Sequence, residues 1–183
     1  MKIVLLGPGD ISKIWKYGKL TEEEVWKLID KFAKFLADNK FEIIFVPSRG
    51  IHYEIAKKYK EYGGPKVIGV IPREDKRFGI KHIEKYFGLV DEEVSIKDWY
   101  NLNGEIGSMG DITICFGLSP GAIIDMSMMS YHYRYLDSKV PLLVYRLALS
   151  VELPKEVEEG LPYLEYVDSF DELKKKILEK VNK

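Results

Sequence analysis

Residues 110–125 read Gly-Asp-Ile-Thr-Ile-Cys-Phe-Gly-Leu-Ser-Pro-Gly-Ala-Ile-Ile-Asp. Ile112 to Phe116 is a β-branched and aromatic run without charge, the pattern of a strand buried on both faces. Gly117 to Gly121 breaks that pattern with two glycines, a serine and a proline, so a turn follows the strand. A long apolar helix is expected from Pro120, with Ser119 as N-cap and Pro120 in the first helical position. A strand that passes through a small-residue loop into a helix builds an anion site. The first helical amides lack partners there, and the macrodipole adds positive potential. Gly117, Leu118, Ser119, Pro120, Gly121 and Ala122 are the candidate anion contacts, and Asp125, about one turn further in, is the candidate catalytic carboxylate.

Outward from this stretch, strands alternate with helices. Ile3 to Leu6 is an apolar run ended by Gly7-Pro8-Gly9-Asp10. Thr21 with Glu24 forms a capping box for a helix in which Val25, Leu28, Ile29, Phe32 and Leu36 share a stripe. Glu42 to Val46 is a second strand, left through Pro47-Ser48-Arg49-Gly50. Ile51, Ile55, Tyr59 and Tyr62 make the apolar face of the next helix, stopped by Gly63-Gly64-Pro65. Val67 to Ile71 is a third buried strand. Mixed charge over 73–99 leaves only a short helix near 80–87 and an extended piece near 93–96. Asn101 to Met109 is expected to be helical, Leu142 to Tyr145 and Tyr163 to Val167 to be strands, and 146–162 to be a surface excursion. Asp168 or Ser169 caps a closing helix with Phe170, Leu173, Ile177 and Val181 on one face. This alternation predicts one α/β domain over residues 1–183, a mostly parallel sheet with helices on both faces. In such sheets a ligand sits at the carboxyl ends of the strands where strand order reverses. The loops at 7–10, 47–50 and 117–121 leave strands at that edge, which adds Gly7, Pro8, Gly9, Ser48, Arg49 and Gly50 to the candidate binding residues.

Composition narrows the partners. The net charge of −1 gives no reason to expect nucleic acid or an anionic membrane. No apolar run reaches the roughly 18 residues of a membrane span, and the chain starts directly on a strand, so a cytoplasmic protein is expected. The single cysteine, Cys115, reads as a buried strand residue. The absence of glutamine beside abundant Lys and Glu hints at a thermophilic source. His52, His82 and His132 are far apart and no Cys pair accompanies them, so neither a metal nor a cofactor is expected.

Two regions carry a resemblance. Val46 to Pro72, with Gly50-Ile51-His52-Tyr53-Glu54-Ile55-Ala56, Gly63-Gly64 and Val67-Ile68-Gly69-Val70-Ile71-Pro72, resembles the LOG (lysine decarboxylase-like) family of the SLOG superfamily. The family signature Pro-Gly-Gly-x-Gly-Thr-x-x-Glu lies without a gap on Gly117 to Asp125, and its later Lys-x-Pro on Lys139-Val140-Pro141. Molybdenum-cofactor carrier proteins share the scaffold. The resemblance implies a three-layer Rossmann-like fold, a homodimer, and binding of a nucleoside 5′-monophosphate whose N-glycosidic bond active members cleave. It implies phosphate on the Gly121 backbone and a carboxylate, Asp125, facing the oxocarbenium-like sugar. The chain departs from the signature at Leu118 and Ser119 for the two glycines, Ala122 for Thr and Asp125 for Glu. The family's catalytic arginine falls on Leu102 or Asn103.

Those departures favour binding over catalysis. A non-catalytic sensor or carrier and a phosphoribohydrolase are the two readings. Arg49 is the cation placed to pair with a phosphate, and Arg73 is a weaker one. His132 shares the helical face of Asp125 two turns on, while Arg134 falls opposite. Gly7-Pro8-Gly9-Asp10-Ile11-Ser12 partly matches a dinucleotide fingerprint without its third glycine, which keeps an NADP-binding alternative open. The eleven residues from Asp10 to Leu20 before the capping box speak against it, since a dinucleotide site needs its helix at once.

Overall fold

The computed structural model describes residues 1–181. Its strands are β1 (Lys2–Leu6), β2 (Glu42–Phe45), β3 (Val67–Pro72), β4 (Glu92–Ile96), β5 (Ile112–Cys115), β6 (Leu142–Tyr145) and β7 (Leu164–Val167). They form one seven-stranded sheet in the order β4-β3-β2-β1-β5-β6-β7, with every pairing parallel. The helices are α1 (Ser12–Tyr17), α2 (Glu22–Asp38), α3 (Ile51–Glu61), α4 (Trp99–Glu105), α5 (Pro120–Tyr135), α6 (Lys155–Glu158) and α7 (Phe170–Val181).

The period-2 alternation of the central strands feeds two cores. Ile3, Leu5, Ile43, Phe45, Ile112 and Ile114 face α2, α3 and α7, where Phe32, Leu36, Ile55 and Leu173 are fully buried. Val4, Leu6, Ile44, Cys115, Leu142 and Val144 face the other way, against Leu102 and Ile106 and against Ala122, Met126 and Met129 of α5. Burying each large aliphatic or aromatic side chain contributes about 1.5–3 kcal/mol, so helices on both faces are required to cover strands with no polar side. The α/β Rossmann-like architecture expected from the alternation is the one observed. Thr21 accepts the Glu24 amide while Glu24 accepts the Thr21 amide at 2.7 Å, so the capping box starts α2 as its residues dictate.

Four local expectations are corrected. A helix, α1, lies inside the 10–20 stretch and begins at Ser12, where Asp10 Oδ1 accepts the Ser12 amide at 3.1 Å. The expected helix near 80–87 is a 3-10 turn over Glu84–Leu89. The helix expected from Asn101 starts two residues earlier, on its Asp98 cap, and tightens to a 3-10 turn over Ile106–Ser108. The segment 146–162 is no mere surface excursion, because Ala148, Leu149, Leu153 and Leu161 are buried and Arg146 ties it to Glu152 and Asp168 at 2.8 and 2.7 Å. Leu173 and Ile177 line the buried face of α7, and the Val181 side chain lies outside the described residues.

At the outer edge, β4 exposes Glu92, Glu93 and Ser95 while Val94 and Ile96 turn inward. Glu92 pairs with Lys66 and Glu93 with Arg73.

Candidate functional site

Strand order reverses between β1 and β5: the chain builds leftward from β1 to β4 and then returns to β5 at the other flank of β1. The exits of β1, β2 and β5 therefore meet at one point of the carboxyl edge. Gly50 makes that approach possible. Its φ of +128° is open to glycine, and a Cβ there would lie 2.4 Å from the Pro8 carbonyl oxygen. The Ile51 amide donates to the same oxygen at 3.4 Å. Gly117, at φ +114°, has Pro8 Cδ and the Ala148 carbonyl oxygen each 3.2 Å from where a Cβ would stand. Gly7, Pro8, Gly9, Gly50 and Gly117 are thus brought together, with Arg49 at the rim. Arg49 is exposed and makes no ion pair among the described residues.

Beneath the rim a small cavity of about 40 Å³ is lined by Pro8, Lys13, Ile14, Tyr17, Gly117, Leu118, Ala148 and Ser150. Lys13 and Tyr17 come from α1 and escaped the sequence reading, because this six-residue helix buries only Ile14. Leu118 packs on the α5-side core and also lines this cavity, so its side chain takes up part of the room at the bend.

The start of α5 is partly self-satisfied. Pro120 has no amide hydrogen, the Ala122 amide donates to the Ser119 side chain at 3.1 Å, and the Ile123 amide donates to the Ser119 carbonyl oxygen at 2.9 Å. Of the first helical amides, this leaves that of Gly121 for an anion. At β2, Ser48 Oγ and His52 Nε2 are hydrogen-bonded at 3.1 Å, and burial pushes the imidazole down to about 4, so it is neutral. At α1, the Asp10 carboxylate already holds the Ser12 amide and is kept below its usual range by that hydroxyl and amide. A pyrophosphate at this helix start would meet a negative charge.

Asp125 lies on the buried face of α5 beside Ala122 and Met126, 8% exposed, and its Oδ1 has no hydrogen-bond partner. Burial alone pushes its carboxyl up to about 8. Helical side chains lean toward their own N-terminus, which tilts this carboxyl toward the bend and the end of β5. It does not border the cavity under the rim. Cys115, which Asp125 approaches, is fully buried and pushed up to about 12 by burial, an inert thiol.

No protein-family model matches the chain, and no curated protein matches it either. Among solved structures, the molybdenum cofactor carrier protein from Chlamydomonas reinhardtii is similar with TM-score 0.65 and 16% identity, over 100% of this chain and 98% of that one. The structural-genomics target TM1055 gives TM-score 0.68 and 14% identity, over 97% and 98%. DNA processing protein A from Helicobacter pylori, described by its single-stranded DNA binding mode, gives 0.61 and 13%, over 98% and 80%. The chain shares its Rossmann-like fold with these proteins.

Within that frame residues 117–121 form the bend between β5 and α5. The position of the family arginine is uncharged: Leu102 is fully buried and Asn103 half-buried. His132 donates from Nε2 to the Gly104 carbonyl oxygen at 2.7 Å and joins α5 to α4. Arg134 is exposed over the Tyr135 ring at 5.9 Å, and Arg73 is paired with Glu93; neither reaches the bend.

Proposed function

We propose that this chain, as one domain, is a carrier or sensor that binds a small phosphorylated ligand, a nucleoside 5′-monophosphate or a close analogue, at the β1/β5 reversal. The supporting observation is the meeting of three strand exits under two cations, Arg49 and Lys13, neither of which is in an ion pair among the described residues. Gly7, Pro8, Gly9, Ser48, Gly50 and the Gly117–Ala122 bend supply backbone and hydroxyl contacts, and the guanidinium takes the phosphate as a two-pronged donor. The Chlamydomonas protein, named for carrying a cofactor, is in keeping with a binding role. The exposed Ile124, Tyr131 and Tyr135 on α5, with Leu136 at its C-cap, support self-association as a homodimer, checked by light scattering after gel filtration.

Thermal unfolding with AMP, other nucleoside monophosphates and inorganic phosphate tests the reading. Ligand at a hundred times Kd stabilises the fold by about 2.7 kcal/mol, and Arg49→Ala is expected to abolish most of that gain. If no phosphate compound raises the midpoint, the proposal fails.

One observation favours a second reading. A carboxyl pushed up to about 8 is still largely protonated at neutral pH, which suits a general acid protonating a departing base. Chromatography for free base after incubation with AMP decides it: base release lost in Asp125→Asn identifies a hydrolase, and stabilisation without release identifies the carrier.

A further inference from the structure

Thr113, Asp125 and His52 are the buried polar side chains among the described residues. Thr113 donates to the Gly107 carbonyl oxygen at 2.7 Å, and Asp125 keeps one carboxyl oxygen without a partner. His52 packs its ring 5.8 Å from that of Phe45 and directs its polar edge at one residue. Its Nε2 lies 3.1 Å from Oγ of the half-buried Ser48, and the Ser48 backbone also hydrogen-bonds the imidazole. A bound phosphate would use the hydroxyl but not the imidazole. Packing does not call for it either, since an apolar side chain would fill the same place without burying ring nitrogens.

The segment around Ser48 has the layout that presents a nucleophile. The strand β2 ends at Phe45, the Ser48 amide folds back onto the Val46 carbonyl oxygen at 2.7 Å, and α3 opens at Ile51. Ser48-Arg49-Gly50 therefore stands between a strand end and a helix start as serine-x-glycine, the second half of a nucleophile elbow. The amides of Arg49 and Gly50 have no partner among the described residues. The amide that follows a nucleophile is placed to donate to the oxyanion formed on its acyl group.

We propose that Ser48 is a nucleophile with His52 as its base, and that it takes the acyl group of an activated aryl ester. A neutral imidazole has one N–H. Given to the Ser48 carbonyl oxygen, that N–H leaves Nε2 free to accept the Ser48 hydroxyl hydrogen. The carbonyl then orients the base, the part that a third group plays beside a nucleophile and its base. In the first step a bond forms from Oγ to the acyl carbon and the bond from that carbon to the leaving oxygen breaks. The hydroxyl proton passes through Nε2 to the leaving oxygen. Water then repeats the sequence at the acyl carbon, which releases the acid and restores the hydroxyl. Burial that keeps the ring neutral also makes it a weak base. The donor must therefore carry a good leaving group, a phenolate rather than an ordinary alkoxide.

Stopped-flow mixing of the full chain with p-nitrophenyl acetate tests the proposal, whether or not the β1/β5 reversal holds a phosphate. A burst of p-nitrophenolate stoichiometric with the chain is expected, with the acetyl group mapped to Ser48 by peptide mass spectrometry of the quenched burst. Ser48→Ala should lose both burst and adduct. His52→Gln should slow acylation about 100-fold or more and should erase the slowing in D2O that the native chain shows when a proton moves with the attack. Circular dichroism follows the fold of both variants. Should His52→Gln unfold, the mapped adduct and its loss in Ser48→Ala decide the matter. Four results would each overturn the proposal: acetyl on lysines or tyrosines but not on Ser48, a burst that survives Ser48→Ala, a D2O effect unchanged in folded His52→Gln, or NMR of the ring nitrogens placing the His52 proton on Nε2.

Discussion

Asp125 combines two properties that rarely coexist in a neutral-pH protein, deep burial and an uncommitted carboxyl oxygen. Its folded carboxyl is pushed up to about 8 from an ordinary 3.8, so between those values the folded chain holds a proton that the unfolded chain has released. Stability from this group is therefore full below about pH 4 and is lost as pH rises through about 8. His52 acts in the opposite sense, its imidazole held at about 4 against an ordinary 6.5, so its contribution is present above 6.5 and lost toward 4. The two slopes oppose each other from about 4 to 6.5, and above that the Asp125 slope stands without the His52 one. The denaturation midpoint is expected to fall from pH 6.5 to 8 in the native chain and to stay level in Asp125→Asn. Parallel profiles would show that the carboxyl is solvated. Gly50→Ala is expected to cost about 3 kcal/mol or more in urea unfolding, since it adds a left-handed strain of about 1–3 kcal/mol to a collision with the Pro8 carbonyl. Asp125 and the bend were legible because motif and strand–turn–helix pattern coincide on the same residues. Lys13 and Tyr17 were not, since a six-residue helix with one buried side chain leaves no periodic trace.

Elements with a full amphipathic period or a complete cap were readable from sequence, and those held by tertiary contacts were not. The α2 helix had both signals, and Thr21→Ala is expected to lower stability by about 1 kcal/mol through loss of the reciprocal pair with Glu24, measured as a shift in denaturation midpoint. The 146–162 segment had neither. Its order comes from Arg146, which bridges Glu152 and Asp168 and lies 4.9 Å over the Tyr166 ring, and from the Leu153 amide donating to the Tyr166 hydroxyl at 2.9 Å. Such contacts span elements and leave no local signature. The 73–99 stretch was obscure for a related reason: its turns are dictated by one aspartate accepting four amides, a three-dimensional fact.

At the scale of the molecule, the alternation of strands and helices was enough to forecast parallel pairing and two covered faces, because parallel strands demand crossovers and crossovers demand cover. Strand order was not written in any residue, and it is the order that locates the reversal where the loops converge. An open parallel sheet also leaves two flanks, here β4 and β7, and the β4 flank carries the exposed carboxylates Glu92 and Glu93. An incoming strand would have to strip water from these charged side chains and their paired cations to reach the open row of amides and carbonyls, which disfavours edge-to-edge growth. Replacing both with threonine is expected to favour fibrous polymers at high protein concentration, followed by turbidity. The acids at that flank thus act as a chain terminator, keeping a template built for lateral growth from recruiting copies of itself.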